Sequence, residues 1–305
     1  MALRFTKMQG AGNDFVVIDA IRQRFEPTAE RCRWLADRRF GVGCDQILLV
    51  ERATVADADF RYRIFNADGS EVEQCGNGAR CFARFVHDQG LSQRRSIRVQ
   101  TLAGVIEPEL EADGRVRVNM GPPRLEPHQI PFDAAGLAGR TEGAAHWWPL
   151  PLDPTRVREI VVVSMGNPHA VQFVEPMDPA TVRLEGALLE QHPRFAQRVN
   201  AGYVQVLSQH QALLRVWERG AGETLACGSG ACAAGVAGIL LGRLLSPVEF
   251  TTQGGILRIE WAGCIAGVMQ PVFLSGPAQT VFNGEIDLPE DCAVPPSAEN
   301  RSELP

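Results

Sequence analysis

The chain contains the stretch Glu71-Val-Glu-Gln-Cys75-Gly-Asn77-Gly-Ala-Arg-Cys81-Phe-Ala83, and the pattern returns as Glu223-Thr-Leu-Ala-Cys227-Gly-Ser229-Gly-Ala-Cys232-Ala-Ala-Gly235. In each copy a Glu stands four residues before the first Cys, and Gly-x-Gly-Ala follows that Cys. An Arg lies twelve residues before each of these cysteines, at Arg63 and at Arg215. An extended apolar stretch precedes each copy, and a run typical of a helix follows it. The repeat therefore predicts two copies of a strand, a turn and a helix.

The sulfurs of Cys75 and Cys227 are expected at the starts of these helices. Glycines on both sides of Asn77 and of Ser229 let the backbone turn tightly and leave amides exposed. Those amides and the helix dipole would lower the pKa of the thiol and could hold a carboxylate beside it. We interpret each copy as a thiol acid or base beside an anion cradle. The alternative is two buried cysteines at packed helix starts, which one copy alone would favour.

The other polar residues of the two half-chains keep nearly the same distances from these cysteines. Asn13 lies 62 residues before Cys75, and Asn167 lies 60 residues before Cys227. This register indicates a duplicated domain with pseudo-two-fold symmetry, and not a solenoid. Such symmetry would bring the two cysteines to face each other across a ligand.

Composition and charge bound the class of protein. The 305 residues suffice for two domains, and 45% apolar with 22% charged residues is typical of a soluble globular protein. The net charge of −6, with no basic cluster, gives no reason to expect nucleic acid. The N-terminus has no signal-peptide pattern and the longest apolar run is too short for a bilayer, so we expect no membrane and a cytoplasmic location. The eight cysteines lack C-x-x-C spacing, which favours thiols without a metal.

Hydrophobic periodicity predicts many short strands with a few helices between them. Residues 28–39 are predicted as a helix that Thr28 caps, with Phe40 facing the core, and residues 266–273 as a strand. Residues 124–158 have few periodic cues. The polar, proline-bearing residues 289–305 are expected to be a disordered tail.

Two facing thiols can invert a stereocentre, because one removes a proton from one face while the other adds a proton to the opposite face. Helix N-termini at the substrate carboxylate would stabilise the carbanion. This chemistry predicts an amino-acid racemase or epimerase, and no feature demands pyridoxal phosphate. Side chains that could hold a polar substrate lie at matching positions of the two halves: Asn13, Gln46, Asn66 and Asn77, and Asn167, Asn200, Glu218, Arg219 and Ser229.

The motifs resemble those of diaminopimelate epimerase over nearly the full length. The matching stretches are Lys7-Met-Gln-Gly-Ala-Gly-Asn-Asp-Phe15, Gly41-Val-Gly-Cys-Asp-Gln46, Arg63-Ile-Phe-Asn-Ala-Asp-Gly-Ser70, Gln74 to Ala83, Met165-Gly-Asn-Pro-His169 and Glu218 to Cys232. The resemblance implies that Cys75 and Cys227 are the acid–base pair and that His169 and Glu218 tune the thiols. The substrate contacts it implies are Asn13, Gln46, Asn66, Gly76, Asn77, Asn167, Asn200, Glu218, Arg219, Gly228 and Ser229.

The resemblance also implies an α+β fold of two pseudo-symmetric halves. Each half would be a mostly antiparallel or mixed sheet wrapped around a central helix, with the active site in the cleft between them. The halves would span residues 1–120 and 121–277, and a strand near 278–287 would return to the first half. The implied enzyme is a homodimer that interconverts LL- and meso-diaminopimelate, toward lysine and peptidoglycan, with no cofactor and no metal.

Three alternatives remain open. A proline or hydroxyproline racemase has a similar fold and thiol pair, but its second motif usually reads Ser-Pro-Cys-Gly-Thr-Gly where this chain has Leu225-Ala-Cys-Gly-Ser-Gly230. A related isomerase uses a carboxylate in place of the first thiol, and Cys75 argues against it. A non-enzymatic thiol sensor could close a Cys75–Cys227 disulfide, but it would not need a substrate cradle around each sulfur.

Overall fold

The computed structural model describes residues 2–72 and 75–289. The described residues divide into two compact units, one of residues 2–72, 75–114 and 278–289, and one of residues 115–277. The boundary between them therefore precedes the expected position at residue 120. Apart from Pro289, the expected tail at 289–305 lies outside the described residues.

The first unit is a mixed sheet with two helices. Its elements are β1 (Ala2–Gly10), β2 (Asn13–Asp19), α1 (Ala29–Ala36), β3 (Gln46–Arg52), β4 (Phe60–Asn66), β5 (Glu71–Val72), α2 (Gly76–Asp88), β6 (Val99–Thr101), β7 (Gly104–Ile106), β8 (Glu109–Leu110) and β22 (Gln279–Asp287). The strand order is β22-β1-β2-β3-β4-β6-β7, with β5 paired to β4. The pairs β2–β3 and β4–β6 are parallel, whereas the neighbouring pairs are antiparallel.

The second unit has a longer mixed sheet. Its elements are β9 (Val116–Asn119), a 3-10 turn (Pro127–Gln129), β10 (Arg140–Glu142), β11 (Ala145–Asp153), β12 (Arg156–Ser164), β13 (Pro168–Phe173), α3 (Pro179–Glu190), β14 (Asn200–Ser208), β15 (Gln211–Glu218), β16 (Gly222–Thr224), α4 (Gly228–Leu240), β17 (Val248–Thr252), β18 (Gly255–Trp261), β19 (Cys264–Ile265), β20 (Val268–Met269) and β21 (Val272–Gly276). The strand order is β10-β11-β12-β13-β14-β15-β17-β18-β21-β9, with β16 on β15. Because β9 pairs with β21, the second unit begins before residue 120.

The two units repeat one topology. In each, a helix links two parallel strands, a third strand returns antiparallel, and a short strand leads into the second helix. The elements β2, α1, β3, β4, β5 and α2 of the first unit thus correspond to β13, α3, β14, β15, β16 and α4 of the second. The predicted α+β fold with duplicated mixed sheets is confirmed.

The second helix of each unit packs against the sheet of that unit. Helix α2 contacts β1, β2 and β3, and α4 contacts β12, β13, β14, β18 and β21. Small residues let the strands come close to α4, since a Cβ on Gly235 would lie 2.8 Å from Ile259. Residues 230–238 of α4 are all buried, which explains why this helix is apolar on every side.

Two local expectations were wrong. Phe40 was expected in the core but is 55% exposed, because α1 ends at Ala36 and the chain turns where Asp37 accepts the amide of Phe40 at 2.7 Å. The strand predicted over 266–273 is instead the hairpin β19–β20 followed by β21. Ala266 and Gly267 form its turn with φ of 50° and 81°, which a strand does not allow.

Candidate active site

Cys75 and Cys227 occupy equivalent positions, each as the N-cap residue of the second helix of its unit. The amide of Gly78 donates to Cys75 Sγ at 3.5 Å, and that of Gly230 donates to Cys227 Sγ at 3.4 Å. Sulfur here takes the place of the oxygen that usually caps a helix. Both sulfurs thus lie at a helix start, as the repeated motif predicts.

The second glycine of each motif is tightly packed. A Cβ on Gly78 would overlap Tyr62 Oη, and a Cβ on Gly230 would lie 3.0 Å from Val216 and 3.2 Å from Cys227 Sγ. Such distances are below ordinary van der Waals contact, so a larger residue would push the first helical turn away. These glycines therefore let the helix amides reach the sulfurs.

In the first unit, Asn13 lies beside the sulfur. Its Oδ1 accepts from Cys75 Sγ at 3.8 Å and from Asn77 Nδ2 at 3.3 Å. Its Nδ2 donates to Asp45 Oδ2 at 2.9 Å. Because a carboxylate can only accept, Asp45 fixes the orientation of the Asn13 amide and turns Oδ1 toward the thiol.

A chain of charges holds Asp45 in place. Arg38 donates to Asp45 at 2.8 Å and to both carboxylate oxygens of Asp14 at 2.8 and 2.9 Å, and Lys7 Nζ lies 2.7 Å from Asp14. Burial alone would raise the pKa of Asp14, but hydrogen bonds from Arg38 and Lys7 outweigh it and hold that pKa well below its ordinary value. Lys7, Asp14 and Asp45 lie within the motifs quoted above, but no sequence pattern predicted this network.

Gln46 and Asn66 pair at the end of neighbouring strands. Gln46 Nε2 donates to Asn66 Oδ1 at 2.9 Å, and Asn66 Nδ2 donates to Ser70 Oγ at 3.2 Å. Gln46 is opposite Phe15 in the parallel pair β2–β3, which places it at the same end of the sheet as Asn13. The predicted residues of the first unit therefore gather at one sheet end and at the start of α2.

In the second unit, a chain of hydrogen bonds leads to Cys227. Ser229 Oγ lies 3.6 Å from Cys227 Sγ, Asn167 Nδ2 donates to Ser229 Oγ at 3.3 Å, and Asn167 Oδ1 lies 3.0 Å from His169 Nε2. Since an amide oxygen only accepts, the geometry assigns the ring hydrogen of His169 to Nε2.

His169 is buried, and burial together with the nearby Arg219 lowers its pKa to about 3. The ring is therefore neutral at pH 7. Its hydrogen bond is to Asn167, so it reaches Cys227 through Asn167 and Ser229. A thiol-tuning role for His169 stays a prediction, and it would act through hydrogen bonds without a positive charge.

Glu218, the last residue of β15, lies next to Cys227. Its carboxyl accepts hydrogen bonds from Thr224 Oγ1 and from the Cys227 thiol. Burial raises the pKa of Glu218. Burial, followed by the charge of Glu218, raises the pKa of Cys227 well above its ordinary value. The expected lowering of this thiol pKa is therefore wrong, because loss of solvent outweighs the helix amides.

The equivalent position in the first unit holds Asn66. Glu218 and Asn66 each end the strand that leads to their cysteine, nine residues before it. A neutral amide in one unit replaces the carboxyl of the other. The two half-sites therefore differ in charge at this position.

Asn200 and Arg219 complete the second group. Asn200 Nδ2 donates to the Pro168 carbonyl at 2.9 Å, and Asn200 Oδ1 accepts from the Arg219 amide at 3.0 Å. Arg219 Nη1 donates to the Gln197 carbonyl at 2.9 Å. Hydrogen bonds or adjacent positions in the chain thus link all the predicted residues of this unit: Asn167, His169, Asn200, Glu218, Arg219, Cys227, Gly228 and Ser229.

The Glu and Arg of the repeated motif have a structural role. Arg63 donates to both oxygens of Glu71 at 2.7 Å, and Arg215 Nε lies 2.5 Å from Glu223. These ion pairs join the antiparallel strand pairs β4–β5 and β15–β16. They support the turn that leads to each cysteine.

Three of the other cysteines are core residues. Cys32, Cys44 and Cys81 are free and buried, and burial raises the pKa of each to about 12. Within residues 2–72 and 75–289, no group of three or more His, Cys, Asp or Glu side chains is arranged to hold a metal ion. Across the same described ranges, no helix is both long and apolar enough to cross a membrane.

A family model described as diaminopimelate epimerase matches residues 5–126 and 161–279. The chain belongs to the diaminopimelate epimerase family. It is 59% identical, over 293 residues, to the family member from Acidovorax ebreus, in an alignment that covers 95% of this chain and 99% of the relative. The unmatched segment between the two ranges largely coincides with residues 124–158, which few sequence cues describe.

Solved structures of other families share the fold of this family at low sequence identity. A phenazine biosynthesis protein of the PhzF family from Bacillus anthracis has a TM-score of 0.66 and 17% identity, covering 94% of this chain and all of its own. A hydroxyproline epimerase from Agrobacterium vitis has a TM-score of 0.62 and 14% identity, covering 95% of this chain and 94% of its own. These matches support the fold and carry no assignment of substrate.

Proposed function

We propose that the chain is a cofactor-independent epimerase that interconverts LL- and meso-diaminopimelate, in the synthesis of lysine and peptidoglycan. The observation that carries this proposal is the repeated half-site, in which Cys75 and Cys227 each cap a helix beside a set of polar side chains. Membership of the family supplies the substrate. One thiol in each half gives the acid and the base that inversion requires.

The proposed reaction replaces the proton at the α-carbon with another on the opposite face. A thiolate removes the α-hydrogen from one face, the other thiol delivers its proton to the opposite face, and the two sulfurs exchange protonation states. Burial and the charge of Glu218 raise the pKa of Cys227, which favours the thiol form of this sulfur. The first-turn amides of α2 and α4, at Gly76 and Gly228, would hold the carboxylate and stabilise the carbanion.

Polar side chains would hold the rest of the substrate. Diaminopimelate carries a second amino-acid end, and Arg219 could bind its carboxylate bidentately. A proline substrate has no such end and would leave Arg219 and several amides without a ligand. A proline-type substrate is nevertheless the alternative, because a hydroxyproline epimerase has a similar fold.

Incubation of the protein with LL-diaminopimelate in deuterium oxide tests this function. We expect solvent deuterium at the α-carbon, and we expect it in the newly formed meso isomer before it accumulates in the remaining substrate. That order is expected when two separate groups act. The thiol that delivers the new hydrogen has already exchanged with deuterium oxide, so the product receives deuterium in its first turnover. Exchange with proline and none with diaminopimelate would assign the chain to the alternative substrate class.

Replacing either cysteine tests the roles of the two sulfurs. We expect Cys75→Ala and Cys227→Ala each to abolish epimerisation, since neither variant retains both an acid and a base. Circular dichroism should remain that of the native fold, because the loss of a helix cap costs only about 1 kcal/mol. Cys264→Ala, at an exposed cysteine of β19, is the matched control and should keep full activity. Turnover near normal in either site variant would contradict the assignment.

Location and assembly follow from the same proposal. The reaction needs two reduced thiols, which favours the cytoplasm.

A homodimer would use the outer edge of β22, at the end of the sheet order of the first unit. Val281 and Phe282 of that strand are exposed, and an exposed apolar edge strand is a common site of strand pairing between chains.

A further inference from the structure

A buried carboxylate on α3 contacts the turn that carries Glu218 and Arg219. Glu190 is the last residue of α3 and is 6% exposed. Its Oε2 accepts from Trp217 Nε1 at 3.0 Å, and its Oε1 accepts from the Gly220 amide at 2.8 Å. The two donors flank Glu218 and Arg219 in the chain, so one carboxylate joins both ends of this turn.

Glu190 also contacts the segment that leads to Asn200. Arg198 Nη1 lies 3.5 Å from Glu190 Oε1, and the Val199 amide donates to the Glu190 carbonyl at 3.2 Å. Asn200 in turn accepts the Arg219 amide at 3.0 Å. A single residue therefore connects the two segments that carry predicted substrate contacts.

The turn after Arg219 depends on two glycines and on a close approach of α3. Gly220 and Gly222 have φ of 78° and 76°, a conformation that only glycine adopts easily. Helix α3 can approach it because Gly186 has no side chain, and a Cβ there would lie 2.6 Å from Trp217 Cβ. Burial alone would raise the pKa of Glu190, but hydrogen bonds from Trp217 and Gly220 and the charge of Arg198 hold it below its ordinary value.

We infer that Glu190 is a positioning residue that holds Glu218 and Arg219 in the geometry that binds substrate. The inference rests on the proposed function, which assigns those two side chains and Asn200 to the substrate. Glu190 acts through the backbone of the turn and through Trp217. No sequence motif identifies Glu190, because its contacts with the turn form only when α3 packs on β15.

Glu190→Gln tests this role. Glutamine has nearly the same shape but one acceptor oxygen, so either Trp217 Nε1 or the Gly220 amide would face another N–H group. We expect kcat/KM for LL-diaminopimelate to fall by roughly 10- to 100-fold, mainly through a higher KM. Amide hydrogen exchange, measured by mass spectrometry, should become faster in residues 217–222.

Glu185→Gln is the matched control. Glu185 lies on the same helix, is 3% exposed, and is bound by Arg158 at 2.6 and 2.8 Å. Its partners are on β12, away from the turn. We expect this variant to lose thermal stability while KM and the exchange of residues 217–222 stay at wild-type values. A merely structural role for Glu190 would make the two variants alike.

A second variant gives a rescue. In Glu190→Gln with Trp217→Phe, the Trp217 donor is absent, so glutamine can direct its oxygen to the Gly220 amide. We expect the double variant to have a lower KM than Glu190→Gln alone, a non-additivity that independent losses of stability do not produce. Trp217→Phe alone should speed exchange in residues 217–222 by less than Glu190→Gln.

Four results would contradict either the inference or the proposed function. Wild-type KM and exchange in Glu190→Gln would overturn the inference, as would equal changes in Glu185→Gln. Additive effects in the double variant would also overturn it. A wild-type protein that does not epimerise diaminopimelate would instead overturn the proposed function, and the exchange comparison would then decide whether Glu190 holds the turn.

Discussion

Glu218 lies next to Cys227, one of the two thiols that transfer protons in the proposed reaction. A carboxylate beside a thiol disfavours the thiolate. Burial is the larger cause of the raised pKa of Cys227, and the charge of Glu218 adds to it. Asn66 takes the place of Glu218 in the first unit, so the equivalent position there carries no charge.

Glu218→Gln removes the charge and should lower the pKa of Cys227. The thiolate fraction at a given pH then rises, and alkylation of Cys227 by iodoacetamide should reach its midpoint at a lower pH than in wild type. Peptide mass spectrometry measures the alkylation of this residue alone. Glu249→Gln, on β17, is the control and should leave the midpoint unchanged. A midpoint that stays fixed or moves upward in Glu218→Gln would contradict the effect of the charge.

The packing of the first turn of α2 depends on the absence of a side chain at Gly78. A Cβ there would overlap Tyr62 Oη, whereas a Cβ on Gly202 of β14 would find its nearest neighbour 3.9 Å away. Gly78 also donates its amide to Cys75 Sγ. The first turn of the helix therefore cannot move without moving the cap.

Gly78→Ala should cost about 1–3 kcal/mol of unfolding free energy through overpacking, and should lower activity by shifting Cys75. Thermal unfolding measures the loss, and Gly202→Ala should be much milder. Adding Tyr62→Phe removes the obstructing oxygen, which has no hydrogen-bond partner among the described residues, and should recover most of the stability. Equal melting temperatures for Gly78→Ala and Gly202→Ala would contradict this account of the helix start.

The whole molecule is proposed to be a dimer formed at the edge strand β22. Light scattering should then give a mass near twice the 33.3 kDa of the chain. Val281→Lys should yield monomers, because two lysines would meet at a symmetric edge and repel. Val157→Lys, at a valine of the second unit with the same 57% exposure, should leave the dimer intact. A wild-type monomer, or two dimeric variants, would argue against this edge.

The part of the fold that was predictable is the part that neighbouring residues specify. The glycines around Asn77 and Ser229, followed by helix-forming residues, specify a turn into a helix from a dozen neighbouring positions. The equal spacing of the two copies then indicates the duplication, and the repeated order of strands and helices agrees with it. The segment 124–158 was not predictable, because its strand β11 contains two prolines and is defined by pairing with β12.

Neighbouring residues are enough to specify two equivalent cysteines at the starts of two equivalent helices, because turn geometry and helix formation depend on adjacent residues. The packing of distant segments sets the raised pKa of Cys227, the orientation of the Asn13 amide by Asp45, and the contact of Glu190 with the turn at Gly220. Each of these depends on burial or on a partner far along the chain. Solvent exclusion and hydrogen bonding arise between elements once they pack, and no local pattern records them.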